Sequence, residues 1–176
     1  LSTGEAKGMV DQLVAAGVVD LGISGGEPLL RRDMLEILAY AKSRGMSVGI
    51  ASNGAKLPPA RAAALAAIGL DRLQVSLDGF EEQHDRLRCW PGLFERVLAS
   101  IRTAHNAGLK VNVCCTINQF NVDTLEPFVA FLAGLEIGRL NLSRFVATGR
   151  GTDYLDPGDR AWRGIIERCG RLKSAY

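Results

Sequence analysis

Val19-Asp20-Leu21-Gly22-Ile23-Ser24-Gly25-Gly26-Glu27-Pro28 decides the fold. Its first half alternates an apolar residue with a small or polar one, the period-2 pattern of a strand with two unlike faces. Its second half turns on two glycines and a proline at the strand's carboxyl end, where α/β folds bind ligands. The chain repeats this unit on both sides. Upstream, Ser2 and Glu5 form an S-x-x-E capping box ahead of the apolar stripe Met9, Leu13 and Val14, a helix that stops at Gly17. Downstream, the spacing predicts a helix over 33–44, a strand over 46–52, a helix opened by Pro58-Pro59 and a strand over 72–78. A longer loop then runs to Gly92. A helix over 93–107, a strand over 109–118, a helix over 123–133, a strand over 137–145 and an amphipathic stretch over 157–174 complete the chain.

Strand centres near 21, 48, 74, 112 and 140 mark a chain of βα units, read as one domain over residues 1–176. Helical crossovers of this length make the sheet parallel. Parallel strands covered on both sides usually read as unbroken apolar runs. These strands alternate instead. Val19, Leu21 and Ile23 oppose Asp20, Gly22 and Ser24; Leu73, Val75 and Leu77 oppose Gln74, Ser76 and Asp78; Val111, Val113, Cys115 and Ile117 oppose Asn112, Cys114, Thr116 and Asn118. Crossover helices cover the apolar face, so the polar face lines a wet, ligand-holding concavity. The expected fold class is therefore α/β, an open partial (βα) barrel of parallel strands with five of about six βα units present. An antiparallel sheet with one solvated face also alternates, but hairpin turns are missing between these strands.

Composition narrows the function classes. The 176 residues carry 21 Lys+Arg against 19 Asp+Glu, a balance that gives no footprint for nucleic acid. Hydrophobic residues make up 47%, yet no apolar run approaches the ~20 residues of a membrane span. The four cysteines, Cys89, Cys114, Cys115 and Cys169, lack metal-ligand or redox spacing, so reduced thiols in a cytoplasmic protein are expected and no metal ligand is assigned. The first residue is Leu1, directly followed by a helix, which reads as a chain cut at its amino end.

Ser24-Gly25-Gly26-Glu27-Pro28 is the strongest chemical signal. Two glycines let backbone approach a ligand closely, Pro28 fixes the exit, and Glu27 puts a carboxylate where a phosphate loop would want a cation. Such a site suits an ammonium. The same residues also read as a helix-entry turn in which Glu27 complements the helix dipole.

At these positions the chain resembles the radical S-adenosylmethionine (SAM) enzymes. Ser24-Gly25-Gly26-Glu27-Pro28-Leu29-Leu30-Arg31, Ser52-Asn53-Gly54, Ser76-Leu77-Asp78-Gly79 with His84-Asp85 and Arg88, and Thr148-Gly149-Arg150-Gly151 match that family in order and fall at strand ends. They look most like its SPASM-type branch, which matures peptides, quinone cofactors and haem. The resemblance implies that Gly25, Gly26, Glu27 and Pro28 grip the SAM ammonium, and that Ser76 and Arg88 take its carboxylate and ribose region. It further implies that Asn53 lines the same pocket, that Phe145 and Val146 meet the adenine, and that Thr116 and Asn118 face ribose or substrate. Arg88 is a planar bidentate donor suited to a carboxylate. Two alternatives stay open: Arg88 pairing with Asp85 or Glu82, and Asn53 serving only an Asn-Gly turn. His84 reads as a loop-packing or capping histidine, and no catalytic residue is singled out.

The implied cofactors are SAM and a [4Fe-4S] cluster whose CxxxCxxC loop this chain does not contain. The implied chemistry is reductive cleavage of SAM to a 5′-deoxyadenosyl radical that abstracts hydrogen during cofactor or peptide maturation, with this chain alone inactive. Expected partners are a small-molecule or peptide substrate and a reductase or flavodoxin-type electron donor, with no nucleic acid and no membrane. Two other readings compete. A lyase or aldolase would need a lumen lysine, for which Lys110 is the one position of suitable parity. A non-catalytic SAM-fold module would bind a peptide or partner.

Overall fold

The computed structural model describes residues 1–147 and 153–175. Its elements, in chain order, are α1 (Thr3–Ala15), β1 (Asp20–Ile23), α2 (Met34–Ser43), β2 (Ser47–Ser52), α3 (Pro59–Ile68), β3 (Arg72–Ser76), α4 (Glu81–Arg88), α5 (Leu93–Asn106), β4 (Val111–Ile117), α6 (Leu125–Ala133), β5 (Arg139–Arg144) and α7 (Gly158–Ala175). Ser2 caps α1 in the expected box: its hydroxyl accepts from the Glu5 N–H at 3.3 Å and its own N–H donates to the Glu5 carboxylate at 2.7 Å.

The strands lie in one sheet in the order β1-β2-β3-β4-β5. Parallel pairing runs from Asp20↔Ser47 to Ile23↔Ile50 and from Gly49↔Arg72 to Ser52↔Val75. Beyond that, the Leu73 N–H donates to the Lys110 carbonyl at 3.1 Å and the Leu77 N–H to the Cys114 carbonyl at 3.0 Å, a constant stagger. The α/β class and the parallel order are as expected, and the antiparallel alternative falls.

Two expectations need correction. The stretch before Gly92 is not a plain loop, because Glu81–Arg88 forms α4. Its sequence Glu-Glu-Gln-His-Asp-Arg-Leu-Arg has no apolar stripe and buries only His84, so periodicity misses it. What favours the helix is charge order, with Glu81 and Glu82 in the first turn and Arg86 and Arg88 in the last. Val19, assigned to the apolar face, is 74% exposed. It precedes β1, an edge strand of the described sheet with β2 alone beside it, and only its carbonyl is engaged there, by the Ser47 N–H at 2.8 Å.

The chain divides into two compact units, Leu1–Ser76 with Arg96–Asn112, and Leu77–Glu95 with Val113–Tyr176. In the first, Leu38, Ala41, Val48, Ile50, Leu65, Leu73, Val97 and Ile101 are buried, each large aliphatic side chain stabilising by about 1.5–3 kcal/mol. α1 is tied to the following segment by the Thr3 hydroxyl on Asp33 at 2.7 Å and to α2 by Asp11, which accepts from the Tyr40 hydroxyl at 2.9 Å. In the second unit, Leu77, Val113, Ile117, Leu125, Phe128 and Ile165 are buried. Phe80, Phe94, Phe128 and Phe131 form a ring cluster with centroids 5.5–6.3 Å apart. Among the described residues, no helix is long and apolar enough to cross a membrane.

Candidate cofactor-binding site

The small and polar face leaves real space. In the first unit, a hollow of about 210 Å³ is lined by Gly22, Ser24, Gly49, Ala51, Gln74 and Asn112, together with Ile23, Ile50 and Arg72. All six of the former lie at the parity assigned to the polar face. A Cβ added at Gly22 would meet nothing within 4 Å. A second hollow, of about 330 Å³, is lined by Met9, Val10, Leu21 and Ile23 together with the bend Gly25, Gly26, Glu27 and Pro28.

Glu27 is the best-braced group of this bend. One carboxylate oxygen accepts from the Leu29 N–H at 3.1 Å and from the Ser52 hydroxyl at 2.9 Å, while the other accepts from the Asn53 N–H at 2.7 Å. Ser52 in turn accepts the Gly54 N–H at 3.0 Å. Glu27 also caps the short 3₁₀ turn Pro28–Leu30, so the helix-entry reading is correct as far as it goes. Gly25 has φ +144°, a conformation that favours glycine. Pro28 is buried behind the bend.

Asn53 spends its side-chain oxygen on a turn, accepting the Ala55 N–H at 2.8 Å. Gly54 has φ +70°, and a Cβ there would meet the Val97 methyls at 3.1 and 3.2 Å. The turn is therefore held by backbone conformation and close packing together. Ser76 is the last residue of β3 and is half-buried.

In the second unit, the decisive group is Asp78. Its side chain is fully buried; the Arg88 Nε donates to one of its oxygens at 2.7 Å, and Nη2 lies 2.7 Å from the same oxygen in an ion pair. The other oxygen accepts the Thr116 N–H at 2.7 Å. Its backbone N–H donates to Nδ1 of His84 at 3.0 Å, and its carbonyl accepts from Nδ2 of Asn121 at 2.8 Å. Burial pushes the Asp78 carboxyl up, and the Arg88 charge and Thr116 N–H are among the groups that outweigh it and hold it below the ordinary carboxylate range. Arg88 therefore pairs with neither Asp85 nor Glu82. Asp85 accepts the N–H groups of Gly92 and Phe94 instead.

His84 is buried as a packing histidine, its Nδ1 used as an acceptor. Thr116 is half-buried on β4; Asn118 is buried, donating from Nδ2 to the Thr116 carbonyl at 2.8 Å. The Phe145 N–H donates to the Ile117 carbonyl at 2.9 Å, and Val146 is 67% exposed. Thr148-Gly149-Arg150-Gly151 lies outside the described residues. Lys110 is exposed and precedes β4, which leaves the lyase reading without its lysine on a strand. Residue type and position alone did not give Ser52 or Asp78 a role. Their signal is that each stands at a strand's carboxyl end within a matching motif.

The family model described as Radical SAM superfamily matches residues 1–133. The chain belongs to the radical SAM superfamily. A Fe-coproporphyrin III synthase of Methanosarcina barkeri is 36% identical over 98% of this radical SAM chain and 45% of its own length. The mycofactocin maturase MftC of Mycolicibacterium smegmatis is 34% identical over 89% of this chain and 40% of its own. The chain thus spans less than half the length of these curated relatives. Among solved structures, native anSMEcpe with bound AdoMet superposes with a TM-score of 0.82 at 14% identity, covering 98% of this chain and 51% of that one. That likeness shows a shared fold, and relatives named as maturases agree with the branch that the motifs resemble.

Proposed function

We propose that residues 1–176 form the SAM-binding core domain of a radical SAM enzyme that matures a cofactor or a peptide. The observation that carries this reading is Glu27: in a chain of this family, the Gly-Gly-Glu-Pro carboxylate is already fixed by three protein donors. An anion held so firmly binds an ammonium with little further loss of side-chain entropy. The donor types fit SAM, with a carboxylate for its ammonium and a planar guanidinium for its carboxylate.

When bound, SAM supplies on reductive cleavage a 5′-deoxyadenosyl radical that abstracts hydrogen from substrate. The chain's own residues bind and orient. Glu27 holds the ammonium on the bend made by Gly25, Gly26 and Pro28, and Asn53 lines the pocket. Ser76 and Arg88 take the carboxylate and ribose region, Thr116 the ribose or substrate, and Phe145 and Val146 the adenine. Among the described residues, no group of three or more His, Cys, Asp or Glu side chains could hold a metal ion, so the family's [4Fe-4S] cluster finds no fitting ligand set there. A reductase or flavodoxin-type protein as electron donor, and a cytoplasmic location suited to four free thiols, belong to the same reading.

Calorimetric titration with SAM tests it. The wild-type chain should give saturable heat, and Glu27→Ala, checked for folding by circular dichroism, should bind at least roughly tenfold more weakly, as loss of a charged hydrogen bond requires. Absence of SAM-specific heat in the wild type, or undiminished binding by Glu27→Ala, would overturn the proposal.

A further inference from the structure

Asp78 is bonded at every polar atom, through four residues: Arg88, Thr116, His84 and Asn121. The structure accepts a cost to keep it so. Nδ1 of His84 accepts the Asp78 N–H, and among the described residues the buried Nε2 on the other side of that ring has no hydrogen-bond partner. A buried carboxylate fixed from so many directions is a rigid anvil for whatever it touches next. What it touches is Arg88, a side chain about one-third exposed that would otherwise sample many rotamers. A guanidinium has two edges able to meet a carboxylate in bidentate fashion. Asp78 takes the Nε–Nη2 edge, so the Nη1–Nη2 edge is turned away from it.

We infer that Asp78 is the positioning residue for carboxylate recognition: it locks Arg88 so that one defined edge of the guanidinium meets the carboxylate of bound SAM. This rests on the SAM reading given above. Asp78 does not itself touch the ligand; it sets the direction of the residue that does. A merely structural Asp78 would alter affinity for every form of the ligand alike, whereas a positioning residue alters the preference for ligands that carry the carboxylate.

The full chain is titrated with SAM and with decarboxylated SAM, which keeps the ammonium, sulfonium and adenosyl group and lacks only the carboxylate. Wild type should prefer SAM by at least tenfold. Asp78→Asn, which keeps the side chain's size, should bring that ratio below about threefold, and Asp78→Glu, which keeps the charge but shifts it by one methylene, should give an intermediate ratio. If Asp78→Asn gives no cooperative melt, the Asp78→Glu comparison decides alone. No binding of either ligand by the wild type would overturn the SAM reading itself. A wild type that binds both equally would remove the carboxylate role of Arg88 and this inference with it. A folded variant that keeps the wild-type ratio would overturn the positioning role while leaving SAM binding intact.

Discussion

Glu27→Gln is the most informative single change, because the bracing of Glu27 predicts a penalty in the absence of any ligand. The carboxylate offers two acceptors, and three donors use them: the Leu29 N–H at 3.1 Å and Ser52 hydroxyl at 2.9 Å on one oxygen, the Asn53 N–H at 2.7 Å on the other. A glutamine offers one oxygen and one NH₂. If the oxygen stays near Leu29 and Ser52, the NH₂ confronts the Asn53 N–H, donor against donor. If the amide is reversed, the Ser52 hydroxyl can rotate and accept, but the Leu29 N–H loses its partner, and Leu29 is only 4% exposed. The second arrangement is the cheaper. An unsatisfied buried N–H costs about 1–3 kcal/mol, and the surviving bonds lose their charge assistance, so about 2–3 kcal/mol is expected in total. At roughly 2–4 °C per kcal/mol for a chain of this size, Tm should fall by about 4–12 °C in the ligand-free protein. Thermal melting followed by circular dichroism, with hydrogen exchange at the Leu29 and Asn53 amides, reads the effect. A Tm within about 1 °C of wild type and unchanged exchange at both amides would refute the bracing argument.

Gly54→Ala should cost about 2–4 kcal/mol in urea unfolding, since φ is +70° and the new Cβ meets Val97 at 3.1 Å, whereas Gly22→Ala, with nothing within 4 Å, should be neutral or stabilise by up to about 1 kcal/mol. The Asp78 carboxyl is held below its ordinary range, so its stabilising contribution is complete above the unfolded pKa near ~4 and is lost as pH falls through the folded value; Asp78→Asn should therefore flatten the decline of Tm between about pH 5 and 3. Phe131→Ala removes three ring contacts, with Phe80, Phe94 and Phe128, and should lower stability by about 2–3 kcal/mol in chemical denaturation. Reconstituted with iron and sulfide, residues 1–176 alone should form no 5′-deoxyadenosine; turnover comparable to a full-length relative would contradict this.

The fold was legible because strands and helices announce themselves by period, and this chain keeps strict periods. β4 alternates buried Val111, Val113, Cys115 and Ile117 with half-buried Asn112, Cys114 and Thr116, as its sequence alone implies. α4 was illegible for the complementary reason: a helix that buries one histidine carries no stripe. The Gly-Gly-Glu-Pro bend was legible as a ligand site from composition and place, but its bracing was not. Ser52 and Asn53 reach Glu27 across 25 and 26 residues, and Thr116 reaches Asp78 across 38, distances that only strand register resolves. For the same reason the acidic partners that the sequence offers Arg88 as an alternative to a ligand carboxylate, Asp85 and Glu82, lie on its own helix, whereas Asp78 stands before that helix begins.

The two braced carboxylates obey one rule. Glu27 follows the end of β1 and accepts an N–H from Asn53, just past the end of the adjacent β2; Asp78 follows the end of β3 and accepts an N–H from Thr116 in β4. At a strand's carboxyl end, the neighbouring strand still points an amide hydrogen toward the place where the ladder has stopped, and that hydrogen needs an acceptor. A carboxylate supplies it with a charge-assisted bond, 2.7 Å long in both cases. The bond costs nothing extra in backbone order, because the sheet has already fixed the donor. The same acceptor is thereby fixed by the sheet itself, at the edge where ligands bind. Asp71 uses the device at the opposite end, accepting the Val48 N–H at 2.7 Å just before β3 begins, and there it meets Lys42 at 2.9 Å. The strand end therefore braces the carboxylate, and the charge of its other partners sets what it can do. At the amino end Asp71 meets a local lysine and serves stability; at the carboxyl end Asp78 is paired with Arg88, while the donors to Glu27 among the described residues are all neutral, which leaves that carboxylate open to a cationic ligand.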